Sequence, residues 1–327
     1  MDHRVLSEVH AYGAIEWRYK MEAIIKRIMK AFLILLLLIP FASNGFAASF
    51  DEIVVFGDSL SDNGNLVFFK DQPVPDPELY YEGRFSNGPV WVEYLADPQR
   101  LNAPLTDRAL GGAQTDGFVP PGLIQQVTTY KTTADAPPSP NALFIIWIGG
   151  NDYFNGDGDS QAAVANINEA MEELVQFGAM HLLALNLPDL GAIPAMLGKP
   201  EAPQATAFSE DFNAELADML DKFRGEHPEI GLYEFDVFSF TMAVRNDPAT
   251  YGFINVTDPS PNFEVPNNFV GAGYLFWDER HPTTSMHELI ADQVFTLLNE
   301  QATPPEMNNV AQDNGGGSSC FIEASTW

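Results

Sequence analysis

Two kinds of hydrophobic pattern alternate along this chain. Ile53-Val54-Val55-Phe56 and Ala142-Leu143-Phe144-Ile145-Ile146-Trp147-Ile148 are apolar at every position. Such runs fit strands of a parallel sheet that is covered on both faces. His181 to Asn186 and Ile230 to Phe235 supply two more strands, and Leu105 to Leu110 a weaker one interrupted by Asp107 and Arg108. Between the runs the apolar residues recur every three or four positions. Ala162 to Phe177 sets Ala163, Ile167, Ala170, Met171 and Leu174 along one side, with Gly178 at the cap position. Thr206 to Arg224 repeats the pattern, and Thr284 to Glu300 forms the last helix. Strands alternating with helices predict an α/β fold, a flavodoxin-like doubly wound five-stranded parallel sheet with helices on both faces. In such sheets ligands bind beyond the carboxyl ends of the strands. Residues 248–274, rich in Pro, Asn, Gly and aromatic residues, predict a flap over such a site.

The ends of the chain differ from its body. Lys26, Arg27 and Lys30 precede the apolar run Ala31 to Ile39, and small residues ending at Ala47 follow. Basic, apolar and small residues in that order predict a signal peptide over 21–47. Residues 1–20 do not fit that layout and read as an upstream mis-annotation, with translation starting at Met21 or Met29. The expected domain is 49–302, and 303–327 reads as a flexible Gly-rich tail holding the single cysteine, Cys320. Export would make the protein secreted, periplasmic or cell-surface.

Charge narrows the partners. Residues 1–48 hold six of the 16 Lys and Arg and four of the 45 Asp and Glu, so the rest carries 10 against 41, a formal charge of −31. Nucleic acid and anionic membrane surfaces repel such a body. One cysteine excludes a disulfide framework within the chain. Metal-ligand spacings of Cys and His are absent. Asp157-Gly158-Asp159 matches the start of a calcium loop but lacks the later ligands. No metal and no cofactor are expected.

The chemistry lies just past the strands. Phe56-Gly57-Asp58-Ser59-Leu60 follows the first strand, so Ser59 is the candidate nucleophile, and a helix starting near it would aim N–H groups at an oxyanion. Of six histidines, His281 alone has an aspartate, Asp278, three residues earlier in an expected loop. Serine, imidazole and a carboxylate that fixes the imidazole tautomer form a hydrolytic triad. Gly149-Gly150-Asn151-Asp152 follows the strongest strand, where the Asn151 amide can donate to developing negative charge. Leu110-Gly111-Gly112-Ala113 follows the weak strand, where glycine lets the backbone approach a ligand.

Taken together, the segments FGDSLSDNGN, ALGGAQT, GGNDY and WDERHPT resemble the GDSL family of lipases and esterases, also called SGNH hydrolases. The letters match Ser59, Gly112, Asn151 and His281, with Asp278 at the acid position. Gly83 to Trp91, Asn186 to Gly191, and Tyr251 to Thr257 are similar to the branch holding plant-type lipases and bacterial lecithinase- or hemolysin-like proteins. Where that family's second block often opens with Asn, this chain has Asp107. The resemblance implies catalysis by Ser59, His281 and Asp278, and an oxyanion hole of Ser59, Gly112 and Asn151. It implies a small-molecule or lipid ester as substrate, with transient contact to a lipid surface, and Phe253, Phe269, Phe276 and Trp277 as an acyl pocket. A phospholipase, a phospholipid-dependent acyltransferase, and a non-catalytic lipid- or sugar-binding relative remain as alternatives.

Overall fold

The computed structural model describes residues 49–69, 74–156 and 158–302. The expected signal peptide, the upstream stretch, Asp157 and the tail with Cys320 lie outside the described residues. Five strands form one wholly parallel sheet: β1 (Glu52–Gly57), β2 (Leu105–Asp107), β3 (Ala142–Trp147), β4 (His181–Leu185) and β5 (Gly231–Phe235). Their spatial order is β2-β1-β3-β4-β5, the doubly wound order expected from the alternating pattern. The second strand stops at Asp107, three residues short of the expected end, because Asp107 turns inward. Its carboxylate accepts the N–H groups of Asn63 and Ala109 and so begins a loop.

The period of two in the strands sorts their side chains onto two faces. Val54, Phe56, Phe144, Ile146, Leu182 and Ala184 face one core. The helices α2 (Leu123–Thr133), α4 (Ser160–Phe177) and α5 (Ala202–Glu226) cover it. Ile53, Val55, Leu143, Ile145, Trp147, Leu183 and Leu185 face the other core. There the cover is α1 (Trp91–Ala96), α6 (Val237–Asn246) and α7 (Thr284–Ala302). A short helix, α3 (Gly150–Phe154), follows β3 directly. Every residue of β3 is buried, as its unbroken apolar run requires. Asp159 caps α4 by accepting the Ala162 N–H, a structural use for part of the calcium-loop fragment. Gly178 closes the same helix at φ 117°, a left-handed cap.

The expected flap takes a different form. Residues 255–259 (β6) and 274–276 (β7) pair as a small second sheet that no alternation announced. The intervening excursion packs onto the body: Phe263 meets Trp277 and Tyr80 edge-on, and the Asn87 amide donates to the Phe269 carbonyl. None of residues 248–274 lines the central cavity. Phe263 and Phe269 are half-buried in these contacts, and ring area removed from water favours the docked form by roughly 25 cal/mol per Å².

Candidate active site

Ser59 sits in the turn that follows β1. The Asp58 carbonyl accepts the N–H groups of Ser61 and Asp62, and an Asp58 carboxylate oxygen accepts that of Leu60. No regular helix begins at Ser59, contrary to expectation; the nearest is one 3-10 turn at Asn65–Phe68. Asp62 explains the difference. It is fully buried and accepts four backbone N–H groups, from Gly64, Asn65, Leu66 and Gly111. A carboxylate that gathers four amides holds the chain in a tight loop where a helix would need those amides aligned. The same bonds tie the loop after β1 to the loop after β2.

His281 reaches Ser59 from the other end of the chain. Its Nε2 lies 2.9 Å from Ser59 Oγ, and its Nδ1 lies 2.7 Å from Asp278 Oδ2. Asp278 Oδ1 also accepts the backbone N–H groups of Arg280 and His281, each at 2.7 Å. The segment Gly83–Trp91 secures this loop from outside. The Ser86 hydroxyl donates to the Pro282 carbonyl, and Asn87 Oδ1 accepts the Thr284 N–H. The ring of Phe85 covers His281, with centroids 5.0 Å apart. An imidazole held on three sides keeps its orientation toward the serine with little entropy left to lose.

Tyr80 completes the carboxylate's surroundings, and nothing in the sequence pointed to it. Its O–H donates to Asp278 Oδ2 at 2.6 Å, and burial beside that carboxylate pushes the phenol above its ordinary range. Burial opposes the charge on Asp278. The His281 ring, the Tyr80 hydroxyl and the Arg280 N–H outweigh it and hold the carboxyl at about 2. Asp278 is therefore ionised across the neutral range.

Asn151 and Gly112 complete the mouth. Asn151, on the first turn of α3, donates through Nδ2 to the Ala113 carbonyl at 3.0 Å and to Asp58 Oδ2 at 3.3 Å. Gly112 has φ 80°, left-handed backbone that suits glycine, and its N–H meets no protein acceptor among the described residues. Asp58 is the second group that sequence reasoning left aside, although it adjoins Ser59. Burial pushes its carboxyl up to about 7, against the pull of the Leu60 N–H and of His281. Ser59, Gly112, Asn151 and His281 thus line one cavity, and Asp278 stands behind His281.

The cavity has a volume of about 290 Å³. It crosses the carboxyl ends of the strands in spatial order. Ser59 follows β1, Trp147 and Asn151 lie at the end of β3, Leu187 to Leu190 with Ala192 and Ile193 follow β4, and Val237 and Thr241 lie on α6 after β5. Its floor is apolar, closed by Leu275, Phe276, Met286 and Ile290. Of the four aromatics expected there, Phe276 alone lines it; Phe253, Phe269 and Trp277 do not. Trp277 is turned into the body, where its indole N–H donates to the Leu79 carbonyl. Among the described residues no cluster of three His, Cys, Asp or Glu is placed to hold a metal ion.

A serine hydroxyl bonded to an oriented imidazole, with unengaged N–H groups beside it, is equipped for acyl transfer. Comparison with known proteins agrees with that chemistry. The family described as GDSL-like Lipase/Acylhydrolase matches residues 53–294. The chain is 28% identical over 274 residues to the thermolabile hemolysin of Vibrio parahaemolyticus, covering 77% of this chain and 65% of that protein. It is 26% identical over 312 residues to the phosphatidylcholine-sterol acyltransferase of Aeromonas hydrophila, covering 77% of this chain and 91% of that protein. It is 28% identical over 255 residues to the secreted effector protein SseJ of Salmonella typhimurium, covering 73% of this chain and 62% of that protein. The chain thus spans less than two thirds of the hemolysin and of the effector.

Proposed function

The chain belongs to the GDSL-like lipase/acylhydrolase family, and on that premise we propose that it hydrolyses carboxylic esters of medium-length acyl groups through an acyl-serine intermediate. The observation that carries the proposal is the continuous relay Ser59 Oγ–His281 Nε2, His281 Nδ1–Asp278 Oδ2, at 2.9 and 2.7 Å. Ser59 Oγ attacks the ester carbonyl carbon while His281 takes its proton. The carbonyl oxygen gains negative charge and is met by the N–H groups of Ser59 and Gly112 and by the Asn151 amide, which exchanges its 3.3 Å bond to Asp58 Oδ2 for one to the oxyanion. Each such donor contributes about 3 kcal/mol to the transition state. The tetrahedral centre collapses, and the alcohol leaves with the proton from His281. Water then repeats the sequence on the acyl-serine and frees the acid. Asp278 stays ionised throughout and stabilises the imidazolium.

The cavity supports the acyl-length assignment. Its 290 Å³ is about twice the roughly 150 Å³ that holds a benzene ring, so it takes an acyl chain of on the order of ten carbons. Export fits the relative named as a secreted effector. No described helix is long and apolar enough to cross a membrane. Transfer of the acyl group to an alcohol is a second reading, favoured by the alignment along 91% of the Aeromonas acyltransferase.

A series of 4-nitrophenyl esters of rising chain length, with and without added alcohol acceptor, tests both. Turnover should peak at medium chains, decline for longer ones, and vanish in Ser59→Ala. Acyl-alcohol product would identify transfer. Silence on every ester, or a fully active Ser59→Ala, would refute the hydrolase.

A further inference from the structure

Two loops that contribute residues to the cavity also carry exposed apolar side chains that the hydrolytic chemistry does not use. Phe68 is 82% exposed, Phe118 76% and Val119 77%. Leaving a phenylalanine in water forgoes about 1.5–3 kcal/mol, so large apolar side chains left exposed on two neighbouring loops mark a contact surface. Their position follows from the sheet. The loops after β1 and β2 emerge side by side because those strands are neighbours. Leu66, two residues before Phe68, lines the cavity, and so does Pro120, next to Val119. A bridge between Phe118 and Pro121 pinches the second loop into a turn with its apolar tip outward.

Charge decides what these loops can meet. The formal charge of −31 over residues 49–327 repels an anionic surface. A zwitterionic surface exerts no such long-range field. At the cavity mouth stands Arg280, exposed and stacked over the Phe154 ring at 4.6 Å. Among the described residues it has no carboxylate oxygen within 4.0 Å, despite the acid excess. A guanidinium in that state suits the phosphate of a lipid headgroup. We infer that Phe68, Phe118 and Val119 dock the protein on a zwitterionic phospholipid surface, with Arg280 meeting headgroup phosphate at the cavity mouth. Docking opens the cavity onto the acyl region of the bilayer, so lipid esters enter without crossing water. The inference rests on the ester-hydrolase reading for its purpose, and its test does not depend on that reading.

Sedimentation with vesicles provides the test, using the full chain carrying Ser59→Ala so that lipid is not consumed. The protein should sediment with phosphatidylcholine vesicles, and less with phosphatidylglycerol vesicles or a triolein emulsion. Replacing Phe68, Phe118 and Val119 together by serine should weaken phosphatidylcholine binding by at least about tenfold, given the apolar area lost. Arg280→Gln should weaken phosphatidylcholine binding and leave triolein binding unchanged. The triple replacement in the Ser59 parent should keep the melting temperature and the hydrolysis of soluble 4-nitrophenyl acetate. No binding to phosphatidylcholine, equal binding by the triple variant, or preference for anionic vesicles or triolein would overturn the inference. Binding without any ester hydrolysis would remove the hydrolase and leave the docking surface standing.

Discussion

Asp278 carries two demands at once. It must stay ionised while buried, and it must hold the imbalance of charge that His281 develops. Its four hydrogen bonds, from His281 Nδ1, Tyr80 O–H and two backbone N–H groups, meet the first demand. Asp278→Asn keeps much of the shape and loses the charge, so turnover should fall about 10⁴-fold with the far-ultraviolet spectrum unchanged. Asn151→Ala should cost at least about a hundredfold in turnover and little in substrate affinity, because the amide matters when the oxyanion forms. A parallel loss of affinity would instead make Asn151 a binding group. Ser59, His281 and Asn151 could be read from the sequence because each stands beside a short, characteristic run. Tyr80 and Phe85 could not be singled out as contacts of Asp278 and His281. They reach that loop from nearly two hundred residues away, and no local spacing encodes such a meeting.

At the scale of elements, β1 and β3 were legible because their apolar runs are continuous and the intervals between strands helical, whereas β2, interrupted by Asp107 and Arg108, was legible only as a weak run that ends earlier than expected. The small β6–β7 sheet was not, because its strands are short and mixed in character. The site depends on the places where strands turn into loops. Gly149 makes one of these turns, between β3 and α3, at φ 124°. A Cβ there would also lie 2.7 Å from the Phe212 ring, itself fully buried. Gly149→Ala should therefore lower stability by at least about 1 kcal/mol and displace Asn151, reducing turnover as well. Denaturant unfolding with parallel activity measurements checks both. Asp62→Ala removes the carboxylate that ties the loops after β1 and β2. It leaves buried N–H groups without acceptors and should cost more than about 2 kcal/mol.

The whole molecule is an acidic body with carboxylates inside it as well as outside. Burial raises Asp58 to about 7 and pushes Asp62, Asp107 and Asp152 up as well. Each raised group binds a proton more tightly in the folded than in the unfolded state. Its stabilising effect is complete below the unfolded value of about 4 and is lost as pH rises through the folded value. Asp278 has the opposite sign, and its contribution is lost as pH falls from about 4 toward 2. The melting temperature should therefore decline between about pH 5 and 8, and added salt should raise it by screening self-repulsion. A melting temperature independent of salt and rising over that range would show that surface and buried carboxylates do not govern stability as described.

The central claim is that an acyl group passes through Ser59. Mixing the protein with excess 4-nitrophenyl octanoate, quenching within the first turnover and mapping the peptides by mass spectrometry observes that step. The account predicts one octanoyl group per chain, on the peptide at Ser59, absent from Ser59→Ala and accumulating in a burst where deacylation is slow. Ester turnover with no acylated peptide, or with the acyl group on another residue, would contradict it.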